Sequence, residues 1–89
     1  MLVSELISEP SKLCQVAIAV NADGQVVPAK DKSAVSWCVS GGIIKCYTGK
    51  EVTVAHEKFR AAIGQECISD WSDSHSFEEV HRALLLAGI

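Results

Sequence analysis

The stretch Ser33-Ala34-Val35-Ser36-Trp37-Cys38-Val39-Ser40-Gly41-Gly42-Ile43-Ile44-Lys45-Cys46-Tyr47 decides how the rest of the chain is read. Wound as a helix at about 100° per residue, its apolar positions Ala34, Val35, Trp37, Cys38, Val39, Ile43, Ile44 and Tyr47 surround most of the axis. Only a narrow polar strip remains, at Ser36 and Ser40. Such a segment is expected to be the central, most buried helix of the domain, with Asp31 or Ser33 as its cap. Ala34, Cys38 and Gly41 form a small-residue stripe along it, and each glycine of the Gly41-Gly42 pair costs a helix about 1 kcal/mol relative to alanine. That cost predicts another backbone, or a ligand, approaching closely there.

On the N-terminal side, Leu2, Val3, Leu6 and Ile7 have the spacing of one helical face, and Pro10 ends a short first helix. Leu13 to Val20 is rich in Val, Ile and Ala and runs into Asn21-Ala22-Asp23-Gly24, a turn signal in which Gly24 takes positive φ. Gln25 to Pro28 then resembles a return strand, which predicts a small N-terminal β-hairpin. Lys12, Leu13, Val16 and Ala17 fit a helical face as well, so residues 11–20 remain open between strand and helix.

On the C-terminal side, Glu51 to Ile63 is amphipathic, with Val52, Ala55, Phe59, Ala62 and Ile63 on one side, and Gly64 is placed to stop it. A loop through Asp70-Trp71-Ser72-Asp73-Ser74-His75 leads to Ser76-Phe77-Glu78-Glu79, a capping box opening a last helix with Phe77, Val80, Leu84 and Ala87 inward. Gly88 ends it. The expected fold is a single domain over 1–89, mainly α within the α+β class. About four helices surround the central one, with the hairpin attached.

Composition bounds the function classes. Eight Lys and Arg against eleven Asp and Glu give a net charge of −3 over 89 residues. A binder that replaces the counterions of nucleic acid with basic residues is not expected from this balance. Hydrophobic residues at 48% and charged residues at 21% lie far from the disordered corner of composition, so a folded domain is expected. Residues 1–10 lack the basic start of a signal peptide, and no apolar run approaches the roughly 20 residues of a membrane span. The expected location is therefore cytoplasmic, with no membrane partner.

The four cysteines, Cys14, Cys38, Cys46 and Cys67, are accordingly read as reduced thiols. On one helix over 33–47, Cys38 and Cys46 stand about 12 Å apart along the axis, beyond disulfide reach. No CxxC occurs, and His56, His75 and His81 show no ligand spacing with the cysteines, so no metal is expected. Asp70, Asp73, Glu78 and Glu79 lack the EF-hand spacing and read as an acidic helix start favoured by the dipole. No phosphate-loop or dinucleotide fingerprint is present, and no cofactor is expected.

Two spots carry the candidate site: Trp37-Cys38 with Gly41, and Trp71-Ser72-Asp73 with His75. They read either as a shared pocket, in which Trp37, Cys38, Gly41, Trp71, Asp73 and His75 converge on a ligand or partner, or as core tryptophans with Asp73 capping the last helix. A Cys-His-Asp arrangement can be drawn from Cys38, a histidine and Asp73 or Asp70. However, an activated thiol prefers a helix N-terminus or a partly exposed site, and Cys38 is expected in a helix interior. No catalytic residue is assigned.

The order Asn21-Ala22-Asp23-Gly24, Ala34 through Trp37-Cys38-Val39-Ser40-Gly41-Gly42, and Trp71-Ser72-Asp73 followed by Glu79-Val80 resembles an uncharacterised family of small bacterial and phage proteins. That family has a D..G, A..WC..GA, W-N-D signature. The likeness spans about residues 13–88 and departs at Gly42, where the family has Ala, and at Ser72, where it has Asn. It implies a fold and a shared site around Trp37, Cys38, Trp71 and Asp73 rather than a reaction. By analogy, it also implies a phage accessory protein acting on a host component. The expected function is a non-enzymatic interaction protein that inhibits or modulates a host defence protein, with a homodimer face if Leu85 and Leu86 are exposed together. The alternatives are a binder of a nucleotide-like small molecule between Trp37 and Trp71, and a Cys38-dependent hydrolase.

Overall fold

The computed structural model describes all residues 1–89. Five α-helices and one two-stranded antiparallel sheet make an α+β globule: α1 (Val3–Leu6), β1 (Ala19–Asn21), β2 (Ala34–Trp37), α2 (Val39–Cys46), α3 (Lys50–Ile63), α4 (Ile68–Asp73) and α5 (Phe77–Ala87). A single 3₁₀ turn, Pro10–Lys12, follows α1.

The deciding stretch divides into two elements instead of forming one helix. Ala34–Trp37 is a strand, and the helix begins only after Cys38, its N-cap. The reason lies in Ala34-Val35-Ser36-Trp37, where β-branched and aromatic side chains suit a pleated backbone and the residues pair with β1 in the register Ala19↔Trp37, Val20↔Ser36, Asn21↔Ala34. The extended form also lets the buried Trp37 indole N–H donate to the Ala29 carbonyl at 2.9 Å. Asp31 caps no helix; its carboxylate accepts from the Ser33 amide at 2.8 Å and the Ser33 hydroxyl at 2.6 Å, closing the turn into β2.

The partner of β1 is thus β2 and not Gln25–Pro28. The turn itself forms as expected, with Gly24 at φ 80° and the Asn21 side chain accepting from the Asp23 and Gln25 amides. Beyond it, the return segment pairs with β1 at the single bridge Val20↔Val26, where the Asn21 amide donates to the Gln25 carbonyl and the Val27 amide to the Ala19 carbonyl, each at 3.0 Å, before Pro28, which has no amide to donate. Residues 11–20 resolve into neither alternative along their length. They comprise the end of the 3₁₀ turn, a parallel bridge Leu13↔Trp37, an irregular loop over 14–18, and the start of β1. A further helix, α4, occupies what reads in sequence as the loop around Trp71.

Helix α2 is the buried centre, as expected, with Val39, Gly41, Gly42 and Ile43 enclosed. Helices α1, α3 and α4 pack against it, and α5 packs on α1 and α3; Val3, Ile7, Phe59, Val80 and Leu84 of the shared core are fully buried. Gly64 and Gly88 end α3 and α5 in the left-handed conformation, and Ser76 with Glu79 forms the capping box of α5. The chain ends meet there: the Ser4 amide donates to the Ile89 carbonyl at 3.2 Å, and His81 Nε2 lies 3.0 Å from the Ser4 carbonyl, which it reaches as a donor.

The glycine pair is explained by close approach on both sides. A Cβ at Gly41 would overlap the backbone carbonyl of Ile18, whereas one at Gly42 would meet the Val3 Cγ1 at 2.8 Å and the Ile7 Cδ1 at 3.1 Å. Backbone cannot yield as side-chain ends do. Gly41→Ala is therefore expected to destabilise the fold by about 1–3 kcal/mol despite the better helix propensity of alanine. Gly42→Ala loses less. Urea denaturation of the two variants checks this order.

Candidate functional site

An open cleft of about 280 Å³ lies over the N-terminal end of α2. One wall is the 15–18 loop, the floor is Cys38 and Ser40, and the far wall is Ser69 and Asp73 of α4. The loop crosses the junction of β2 and α2 and is tied at both ends. The Cys14 amide donates to the Trp37 carbonyl at 3.1 Å, and the Cys38 amide donates to the Ile18 carbonyl at 3.3 Å. Gln15 fastens it to α4, its Nε2 donating to the Ser72 carbonyl at 2.7 Å and the His75 carbonyl at 3.2 Å.

Of the residues singled out in sequence, Cys38 and Asp73 converge on this cleft. Cys38 sits at the helix N-cap and not in a helix interior, and its Sγ accepts from the Gly41 amide at 3.3 Å. Asp73 closes α4 and is not a cap for α5, a task Ser76 performs. Gly41 acts from below by admitting the Ile18 carbonyl.

The two tryptophans form no shared pocket. Trp37 is 7% exposed with its indole N–H satisfied, so it packs as core. Trp71 is half-buried, edge-on to Phe59 with centroids 5.8 Å apart and stacked on His75 at 4.0 Å. The His75 Nδ1 is hydrogen-bonded to the Trp71 carbonyl, so His75 is held against α4 and does not line the cleft. With Trp37 buried, stacking a ligand between the two indoles is geometrically closed.

Three residues escaped sequence reasoning. Gln15, in a segment open between strand and helix, gave no sign of its reach to a carbonyl 57 residues away. Ser40 reads as part of a polar strip, yet its Oγ lies 3.3 Å from His56 Nε2. The other ring nitrogen of His56 lies 2.8 Å from the Val52 carbonyl, which can only accept, so Nδ1 carries a proton and donates to it. Cys14 was legible only as one of four thiols. Its S–H donates to the Ala17 carbonyl at 3.2 Å, beneath the loop.

Burial pushes the Cys14 thiol above its ordinary value, opposed by a hydrogen bond with Ser36 and reinforced by the neighbouring Cys38. Cys46 is likewise raised by burial, and so is the Tyr47 hydroxyl. No group of three or more His, Cys, Asp or Glu side chains comes together as a metal site, and no helix is long and apolar enough to cross a membrane. No family model, curated protein or solved structure matches the chain.

A thiol whose pKa is higher folded than unfolded contributes stability that is complete below the unfolded value and lost as pH rises through the folded one. Cys14 and Cys46 both have this sign. The urea midpoint is therefore expected to hold steady through neutral pH and fall above about pH 8.5, the ordinary thiol range. A titration of that midpoint from neutral to alkaline pH checks the direction. A midpoint that rises with alkali contradicts the assignment.

Proposed function

We propose that the protein is a small non-enzymatic interaction module that binds a host protein through the solvent face of α5 and modulates it, as a phage-type inhibitor of a defence component would. One observation carries this reading: Leu85 and Leu86 are adjacent and exposed at 60% and 74%. Helix α5 already buries Val80, Ala83 and Leu84 inward, so the two leucines serve no packing role within the chain. Solvent-facing leucine pairs raise the apolar area of a surface without stabilising the fold, and contiguous apolar area of this kind marks interaction surfaces. Glu78, Glu79 and Arg82, exposed on the same helix, supply the charged rim that such a contact uses for orientation. The mild acidity of the chain and its small size agree with the reading.

The test compares the wild-type chain with a Leu85→Ser/Leu86→Ser variant by size-exclusion chromatography with light scattering, alone and after passage through host lysate. The expected result is a stoichiometric complex with a host protein, lost in the variant while its helical circular dichroism is unchanged. A concentration-dependent dimer lost in the same variant assigns the face to a second copy. Equal behaviour of the two chains overturns the proposal.

A further inference from the structure

Cys14 and Cys38 are the residues that follow Leu13 and Trp37, the two members of the parallel bridge. The hydrogen bond from the Cys14 amide to the Trp37 carbonyl, at 3.1 Å, is one arm of that bridge, and it joins Cys14 to the carbonyl that precedes the Cys38 nitrogen. The Cys14 sulfur faces the same side of the bridge as Ser36 and Cys38, with which it interacts. A disulfide needs two such neighbouring residues, with Cα atoms roughly 4.4–6.8 Å apart. Both thiols are free and half-buried. From the combination of this adjacency with the open cleft above Cys38, we infer that Cys14 and Cys38 form a redox-active dithiol that reduces low-molecular-weight disulfides stoichiometrically, one per chain, a reactivity beside the binding role of α5 and without turnover.

The surroundings divide the roles. Cys38 lines the cleft, with its sulfur at the N-terminus of α2 and the Gly41 amide donating to it, so it is the thiol an incoming disulfide meets. Cys14 lies under the loop with its S–H donated to the Ala17 carbonyl, and it does not line the cleft. In the first step, the Cys38 sulfur, having given its proton to solvent, attacks one sulfur of R–S–S–R. The S–S bond of the substrate breaks, R–S⁻ leaves with the electron pair and takes up a proton, and Cys38 carries a mixed disulfide. In the second, Cys14 loses its proton to solvent and attacks the Cys38 sulfur. The Cys14–Cys38 bond forms, and the second R–S⁻ leaves and is protonated. The dithiol gives up two electrons and two protons, and the substrate becomes two thiols. The cleft admits one arm of a small disulfide, between the apolar lip of Val16 and Ile18 and the polar wall of Ser69 and Asp73.

The full chain is incubated with glutathione disulfide, quenched with iodoacetamide, digested and mapped by mass spectrometry. The expected product in the wild type is the peptide pair linked through Cys14 and Cys38. Cys14→Ser is expected to accumulate glutathione on Cys38. Cys38→Ser loses the linkage and leaves Cys14 alkylated and free of glutathione. The linkage is also expected to be lost when the incubation is run in denaturing urea. Glutathione on Cys14 and Cys38 separately in the wild type, an unmodified pair, a linkage of either residue to Cys46 or Cys67, or linkage that persists in urea overturns the inference. None of these readouts involves Leu85 or Leu86, so the outcome is independent of the α5 reading.

Discussion

The carbonyl oxygen of Ile18 fills the space where residue 41 would carry a Cβ, and the fold is arranged around that approach. It lets the 14–18 loop lie flat across the junction of β2 and α2, with hydrogen bonds to both Trp37 and Cys38. The glycine pair weakens α2 as an isolated helix by about 1 kcal/mol at each position. What holds the helix is burial on its other sides: Val39 and Ile43 are fully enclosed, and each such side chain contributes roughly 1.5–3 kcal/mol when removed from water. The second glycine does the same service for α1, whose Val3 stands against it together with Ile7. One short, locally poor helix thereby accepts backbone on one side and a helix on another.

Elements whose signals are local were legible in the sequence, and elements settled by distant partners were not. The capping box Ser76 to Glu79, the left-handed glycines 64 and 88, and the amphipathic stripe of α3 each depend on residues within one or two turns, and all stand where the sequence places them. The division of residues 33–47 depends instead on β1 and on the Ala29 carbonyl. Ala34, Val35 and Trp37 fit a helical surface and a pleated one equally well, because a short apolar run has no period of its own. The competition is decided by the pairing of β2 with β1 and by the buried indole, which needs an acceptor. The short helix α4 escaped for a related reason: Ser69, Asp70, Ser72 and Asp73 favour turns, and the helix exists because Ile68 is packed into the core and Trp71 lies against Phe59.

The same distinction governs the site. Trp37 and Trp71 drew notice by their size, yet both are explained by packing, one as core and one as the face between α3 and His75. Cys38 and Asp73 drew notice as their neighbours and as members of a paper Cys-His-Asp arrangement, and these two reach the cleft. The glycine pair foretold that a backbone comes close but not which one, since Ile18 lies in a segment without regular structure. Gln15 belongs to that same segment. Its role, joining the loop to the end of α4, exists only once both ends have folded.

The caps of α2 and α5 make an instructive contrast. Helix α5 begins with Ser76, whose oxygen accepts from the Glu79 amide while the Glu79 carboxylate accepts in return, an arrangement that holds that carboxyl below its usual range. Helix α2, the most buried element, begins with a sulfur instead. Sulfur is a weak acceptor, and serine, threonine, aspartate and asparagine serve better at this position. A serine at 38 would satisfy the Gly41 amide with a shorter and stronger bond, so helix stability does not account for a thiol there. Where one residue departs from the local rule that its neighbours obey, the compensation is sought in function. The departure here coincides with the cleft and with Cys14 beside it, which is the place that the proposed dithiol exchange gives to sulfur.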